Sequence, residues 1–535
     1  MNLLALPVLF PLFTGALLLL LPGSELRRWT AALSAAFTAG ASLSILSRNL
    51  GGEVLVVQMA NWPAPWGITL VADTLTGLML SLCGVVGLLT VLFAGSSLKH
   101  SPRAGQSARL NVVRERVGFQ ALLQFLFMGV NMSFLTGDLF NLFVAFEVIL
   151  IASYGLLLVG NELPQLREGF KYVVVNLTAS AIFVVAAGFA YGLFGTLNMA
   201  DIAVRLSAHG PDPRVMLVAA LLALVFATKA AVFPLGFWLP NSYPAPAAPA
   251  SAFFAAMLTK VGAYALIRSF TLMFPQETGV QAVLLALTGF TMLIGGFGAI
   301  TRQRWRHALA FANVASIGYL LMGVFAGSAA GLSAALYYTL HSVLLIFALF
   351  LVAALAEQIS GASYRDEGHL AVYPWLGLGF FVLALGLAGI PPTSGFVGKY
   401  ALIAALLEGG GPLRVSVAVA AVVTGLLLLY AVVQIWQGFF WGESDAVSRR
   451  DLPAGQSVVM VTAAGLVITL ALLSGPAYRV TALASKQLSG NAAYLAAVLV
   501  PAELPDPQGG EHNSNHGLEQ GEGDGHGEPQ DGSGH

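Results

Sequence analysis

The sequence predicts an all-α polytopic membrane protein of about fourteen transmembrane helices. Three observations predict it. Hydrophobic residues make up 57% of the 535-residue chain and charged residues only 10%, far below the roughly 25–35% charge of a soluble surface. Many apolar runs reach the roughly 18–20 residues that a helix needs to cross the hydrocarbon core. The basic residues gather in alternate loops between those runs, as in chains threaded through a bilayer. A soluble globular enzyme is excluded.

Runs of spanning length cover 3–22, 28–47, 69–97, 117–136, 139–159 and 171–194, then 214–234, 247–273, 279–300, 307–327 and 330–355, and last 372–408, 415–440 and 455–474. Glycine is frequent in them, as where membrane helices approach closely. The first run has neither a basic start nor a small-residue cleavage site, so it reads as a first span and not as a removed signal peptide. With the N-terminus outward, the odd-numbered loops face the cytoplasm and hold most of the basic residues, among them Arg27, Arg28, Lys99, Arg103, Arg306 and Arg449. The outward side holds fewer, among them Arg48, Arg205, Arg268 and Arg414. That bias favours an outward N-terminus. The stretch from Ala492 to Val500 is too short to span alone; as part of a fifteenth span it would reverse the tail. Residues 501–535 are rich in Gly, Glu, Asp and His and hold too little apolar surface to fold. Their scattered histidines, His512, His516, His526 and His535, form no fixed metal site.

Proline breaks two of the runs. The first holds Pro234, Pro240, Pro244, Pro246 and Pro249; the second holds Pro391 and Pro392. Each proline removes a backbone donor and clashes with the preceding turn. Backbone freed at membrane depth must be satisfied by protein or by water in a cavity. One break in each half of the chain suggests an internal repeat with a discontinuous helix in each copy; a packing kink is the plainer reading of either break alone.

Glu147, Lys229, Lys260 and Lys399 all lie well inside apolar runs. A charge at mid-membrane costs roughly 2.5–3.5 kcal/mol even on lenient insertion scales, so four such groups point to an ion pathway. Lysine can gain and lose a proton in response to burial and neighbouring charge, whereas arginine stays charged. The three lysines are therefore candidate proton carriers, with Glu147 the natural counter-charge of Lys229. A static ion pair joining two helices is the competing reading; it leaves two ammoniums without partners. His341, alone in its helix, is either a hydrogen-bonded packing residue or a central relay between Lys260 and Lys399. Thr259, Thr339, Ser342, Tyr264 and Tyr337 could hold water along such a path, and Asp73 or Asp138 could stand at a channel mouth. The single cysteine, Cys83, allows no disulfide within the chain and no thiolate metal cluster. No phosphate loop, His-Glu-x-x-His or other cofactor motif occurs, so no cofactor and no bound metal are expected.

The segments Gly137 to Tyr154, Phe233 to Pro246, Phe253 to Arg268 and Gly389 to Lys399 together resemble the D-type subunits of the Mrp-type multisubunit Na+/H+ antiporters. The likeness covers roughly 1–475 and extends more loosely to the antiporter-like proton-pumping subunits of respiratory complex I. It implies fourteen helices with two inverted five-helix repeats, 111–275 (helices 4–8) and 276–442 (helices 9–13), and discontinuous helices 7 and 12. Residues 1–110 would form helices 1–3, 443–500 helix 14 with an amphipathic segment, and 501–535 a disordered tail. It also implies Glu147 and Lys229 as the first ion pair, Lys260 as the helix-8 relay, His341 as a helix-11 histidine and Lys399 as the terminal lysine of proton translocation. The implied partners are the other membrane subunits, protons and Na+, in a bacterial inner membrane. Two positions depart from the pattern. Leu345 and Ile346 fill the places where relatives often carry a lysine after the histidine, and Gly236 stands where complex I relatives usually carry histidine. A pumping subunit of a NADH:quinone oxidoreductase-like complex shares these residues, and a purely structural subunit is the remaining alternative.

Overall fold

Backbone in hydrocarbon has no water to bond, so apolar runs close their hydrogen bonds within helices. The computed structural model describes residues 2–97, 118–160, 162–208, 212–360, 370–441 and 454–499. The N-terminal part holds α1 (Leu6–Leu20), α2 (Ser24–Leu50), the strands β1 (Leu55–Gln58) and β2 (Thr69–Ala72), and α3 (Thr74–Ser97). Next come α4 (Phe119–Leu135), α5 (Leu139–Leu158), α6 (Leu163–Phe194), the short α7 (Met199–Ala208), α8 (Pro213–Ala230), the single turn α9 (Leu239–Ser242) and α10 (Ala248–Met273). Then follow α11 (Thr278–Thr301), α12 (Trp305–Val324), α13 (Ala329–Ser360), α14 (Pro374–Ala388), α15 (Ser394–Glu408) and α16 (Pro412–Phe439). The chain closes with α17 (Ala454–Leu472), α18 (Ser474–Gly490) and α19 (Ala492–Leu499). Among the described residues, 12 helices are long and apolar enough to cross a membrane; α4 and α14 are shorter apolar helices.

The run 69–97 is not one helix. Thr69–Ala72 pairs antiparallel with Leu55–Gln58, from Leu55 opposite Ala72 to Gln58 opposite Thr69. Asp73 then starts α3 by accepting the Thr76 N–H through Oδ1 at 2.9 Å, which satisfies one of the donors a helix start leaves free. The fold is thus helical apart from this one hairpin among the described residues. The stretch Ala492–Leu499 is an eight-residue helix packed on α7 and β1, not the end of a fifteenth span. The tail 501–535 and the basic residues Lys99, Arg103, Arg109, Arg114, Arg116, Arg365, Arg449 and Arg450 lie outside the described residues.

Helix α10 lies wholly inside the protein: residues 249–270 are all buried. It packs against α3, α4, α8, α12 and α13, while α2, α6, α11 and α16 turn bulky apolar side chains outward. Two π-helical turns, Phe254–Leu258 and Ser269–Met273, interrupt α10; such turns often mark functional sites in helices.

Candidate buried-charge pathway

The first lysine stands at a helix break. Lys229 lies in the last turn of α8, and Ala231 then turns the chain left-handed with φ 61°. Its Nζ donates long bonds to Ser180 Oγ (3.4 Å) and to the Asn176 carbonyl (3.5 Å) on α6, and lies 5.6 Å from the centroid of the Phe146 ring. Glu147 is half-buried on α5, and its Oε1 has no hydrogen-bond partner within the chain. It is close enough to act on Lys229 electrostatically, yet the two form no ion pair within the chain. The expected Glu147–Lys229 contact is therefore open in this conformation. Beside Lys229 lies a cavity of about 20 Å³, bounded by Phe146, Tyr172, Trp238, Leu258 and Val261, which is room for about one water. It carries Lys229 toward the helix of the next lysine, because Leu258 and Val261 flank Lys260.

Gly262 sets the approach of those two helices. A Cβ there would meet Ala230 N at 2.5 Å and the Lys229 carbonyl carbon at 2.8 Å, so glycine lets α10 rest directly on the backbone at the end of α8. Lys260 is fully buried, and its Nζ donates to Asn313 Oδ1 of α12 at 2.7 Å and to the Ala255 carbonyl at 3.4 Å.

The second break is held by two of the predicted site residues. Helix α14 ends at Ala388, Gly389 follows with φ 83°, and α15 begins at Ser394. The end of α14 leaves carbonyls without intrahelical donors. Lys399 folds back and caps them, donating to the Leu387 carbonyl at 2.7 Å and to the Ala388 carbonyl at 3.0 Å. An ammonium is favoured there by the negative end of the helix dipole. Its Nζ also lies 4.7 Å from the centroid of the Tyr319 ring. His341 Nδ1 on α13 is 2.9 Å from Ser394 Oγ. His341 thus ties α13 to the start of α15.

A family model described as "NADH:quinone oxidoreductase/Mrp antiporter, TM" matches residues 136–426. The D-type subunit of the Na+/H+ antiporter of Alkalihalophilus pseudofirmus is 36% identical over 504 residues, covering 93% of this chain and 99% of that protein. The chain belongs to this family. Within it the chain falls in the D-type branch of the Mrp antiporter subunits, related to the antiporter-like subunits of complex I. The D-type subunit of a probable K+/H+ antiporter of Rhizobium meliloti is also 36% identical, covering 89% of this chain and 94% of that one. A chain in the solved structure of the Mrp complex from Dietzia sp. superposes with a TM-score of 0.84 at 28% identity, covering 94% of this chain and all of that chain. As a member of the D-type branch, the chain is a multi-pass protein of the bacterial inner membrane, part of a multisubunit antiporter assembly, and a transport subunit rather than an enzyme.

Measured against the sequence expectations for an Mrp antiporter chain of this type, the structure buries Lys229, Lys260, His341 and Lys399 and leaves Glu147 half-buried. The side chains expected to hold water have the following partners within the chain. Thr339 and Ser342 bond backward to the Ala335 and Thr339 carbonyls of their own helix, and Tyr264 donates to the Phe134 carbonyl at 2.6 Å. Tyr337 packs its ring on Tyr478, and the Thr259 hydroxyl has no partner within the chain. Asp138 caps α5, accepting the Asn141 N–H at 2.8 Å. Arg268 and Arg306 are not loop residues. Arg268 is buried near the end of α10 and forms two bonds with Asp73, at 2.8 and 2.9 Å. Arg306, in the first turn of α12, pairs with Glu357 and donates to the Pro244 carbonyl. Gly236 explains its own departure from the complex I pattern: a Cβ there would meet the Ala231 carbonyl oxygen at 2.2 Å. Among the described residues no cluster of His, Cys, Asp and Glu could hold a metal ion.

Proposed function

We propose that protons cross this antiporter subunit through half-channels joined by Lys229, Lys260 and Lys399, with Glu147 as the switchable counter-charge of Lys229. The single observation that carries the reading is the placement of the lysines: two stand at helix breaks and the third in the wholly buried helix between them. A lysine at a break can reach backbone carbonyls and water without leaving the protein interior. In the working cycle Glu147 pairs with Lys229, releases it when Lys260 changes protonation, and each step shifts the proton affinity of the next group. His341 holds the start of α15 and relays protons only when its bond to Ser394 opens.

The finer architecture belongs to the same proposal. Adding α4, and α14 with α15 as one broken span, brings the spans to fourteen. They divide into helices 1–3 (1–110), two inverted repeats (111–275 and 276–442) and a final span with α18 and α19 (443–500), followed by the tail 501–535. In each set of five spans the fourth is read as the discontinuous one: α8 runs unbroken to Ala230 and is followed by the single turn α9, while α14 and α15 are two separate helices, and such a pairing supports a repeat. The N-terminus faces outward. Na+ is the exchanged cation, although the relatives include subunits of both Na+/H+ and probable K+/H+ antiporters.

Membrane vesicles carrying the assembled complex with Glu147→Gln, Lys229→Ala or Lys399→Ala test this. Na+-dependent proton flux falls by about tenfold or more while complex content stays at the wild-type level, a barrier change of about 1.4 kcal/mol. Loss of assembly in step with loss of flux would favour the structural-subunit alternative. Flux driven by K+ but not Na+ in the wild type would overturn the cation assignment alone.

A further inference from the structure

The lysine pathway leaves one question of physical chemistry open at its centre. Lys260 is sealed in the protein interior, and any side chain that exchanges a proton there must be solvated in both states. Its side-chain partner is Asn313, 2.7 Å away through Oδ1. Asn313 is itself fully buried, and its Nδ2 has no hydrogen-bond partner within the chain. An unsatisfied buried amide donor is costly, about 1–3 kcal/mol, and it asks for an explanation.

We propose that Asn313 is a positioning residue that serves both protonation states of Lys260, so that proton exchange at Lys260 depends on an amide and not on a carboxylate. The proposal rests on the lysine pathway put forward above. An ammonium has three donors and no acceptor, and Asn313 Oδ1 accepts from it. A neutral amine carries a lone pair, and Asn313 Nδ2 can donate to it once the amide turns about its last bond. The amide group that faces Lys260 in one state thus exchanges roles with the one left unpaired. A carboxylate at this position would accept only, and would hold the lysine charged. An aliphatic side chain would leave the ammonium with a single long bond to the Ala255 carbonyl.

The surroundings agree with this reading. The side chain at position 316 lies one turn further along the same face of α12, where Ser316 donates to the Ala312 carbonyl at 3.0 Å. Two turns along, the Tyr319 ring lies under Lys399. Helix α12 thus places Asn313 beside Lys260 and the Tyr319 ring beside Lys399, where Leu345 and Ile346 of α13 provide no polar group.

Proton flux and complex content are measured in vesicles carrying Asn313→Asp, Asn313→Leu and Asn313→Ser, with Lys260→Ala alongside. Asp keeps the size and the acceptor but lacks the donor; Leu keeps the size and lacks both; Ser keeps a group that both donates and accepts. The expected result is a loss of flux of about tenfold or more for Asp and Leu, as befits losing a hydrogen bond to a charged group or trapping that charge. Ser keeps most of the flux, and complex content is unchanged in all three. A static anchor for a permanently charged lysine predicts the opposite order, with Asp as good as the native residue or better, and that order would overturn the proposal. Should Asp fail to assemble, the contrast of Leu against Ser decides. Equal flux in those two refutes the amide's role. Full flux in Lys260→Ala would instead refute the lysine pathway itself.

Discussion

A buried charge is tolerated only where its partners are worth more than the water it lost, and the two kinds of buried cation in this protein solve that problem differently. Arg268 is locked. Two bonds join it to Asp73, and its guanidinium also sits 4.9 Å from the Tyr494 ring and 5.5 Å from the Tyr264 ring. The lysines are held by carbonyls, a hydroxyl, aromatic faces and one amide, with no carboxylate in contact. The first arrangement suits permanent structure and the second suits turnover. Replacing Asp73 by Asn should therefore destabilise the protein by about 3–5 kcal/mol, because it strands the buried guanidinium. The melting temperature of the purified complex would fall, while flux per assembled complex would change little. Burial alone would raise the pKa of the Asp73 carboxyl, but the Arg268 charge and the bonds from Arg268 and Thr76 outweigh it and hold the carboxyl below the usual carboxylate range. A carboxylate depressed in the folded state contributes stability above its unfolded value and loses it as pH falls through the folded one. Thermal stability should therefore be flat through neutral pH and decline only on the acid side of the usual carboxylate range, and Asp73→Asn should remove this group's share of that decline. Nothing in the sequence foretold the pair. Its members are 195 residues apart, and an arginine near a helix end reads as a loop residue when its partner is unknown. The lysines were legible, because a charge far inside an apolar run has no cheap alternative explanation. Asn313 was not, since an uncharged amide in such a run carries no comparable penalty.

At the scale of the helix, the breaks do the positioning. Proline marked both of them in the sequence, and the structure shows what each break supplies: a lysine facing helix-end carbonyls in the second, and a lysine beside a small cavity in the first. What the sequence could not show is how closely the neighbouring helices press on them. The contact of Gly262 with the Lys229–Ala230 backbone is one of these close approaches. Glycine was expected at helix contacts in general, but no pattern singled out this one, because a close approach depends on a second helix far away in the chain. Gly262→Ala should force α10 away from the end of α8, at a cost of about 1–3 kcal/mol from overpacking. The shift also separates Lys229 from Lys260, so flux should fall by more than the loss of assembled complex. Gly279, with open space around its Cβ position, is the matched control, and Gly279→Ala should leave both readings unchanged. Equal behaviour of the two variants would show that helix spacing at Gly262 has no part in transport. The small hairpin escaped the sequence reading for a related reason. Thr69–Ala72 is apolar and adjoins a long helical run, so periodicity alone could not separate a short buried strand from the start of a helix.

On the scale of the whole molecule, one end of the bundle is tied together by the last described segment of the chain. Ser485 of α18 donates to the Ala329 carbonyl at 2.7 Å, and Gln487 accepts the Thr74 N–H at 3.2 Å. Asn491, between α18 and α19, donates to the Thr271 carbonyl at 2.7 Å, and the Val498 carbonyl of α19 accepts from Gln58 at 3.4 Å. Tyr494 covers Arg268. These bonds reach α13 in one proposed repeat, α10 in the other, and α3 with its hairpin outside both. A segment that crosses both proposed repeats limits how far they can move apart, so on the proposed pathway the rearrangement between Lys260 and Lys399 is expected to be local, made of side chains and the two breaks rather than of rocking halves. The amphipathic character of 474–499 was legible, but its role as a tie was not, because it consists of single polar contacts to four distant segments. A chain ending at Leu473, compared with one ending at Leu499, should lose the cover of the Asp73–Arg268 pair along with these contacts. Its melting temperature should fall well below that of Asn491→Ala, which loses one bond worth about 0.5–1.5 kcal/mol. If the segment only stabilises, the shortened chain, once assembled at low temperature, should still exchange protons with the native pH profile. If it also holds the halves in register for Lys260 and Lys399, exchange should be lost even in the assembled complex, and restoring residues 474–499 should restore both. An unchanged melting temperature in the chain ending at Leu473 would show that the ties carry no strength, and the inference of local motion would fall with them.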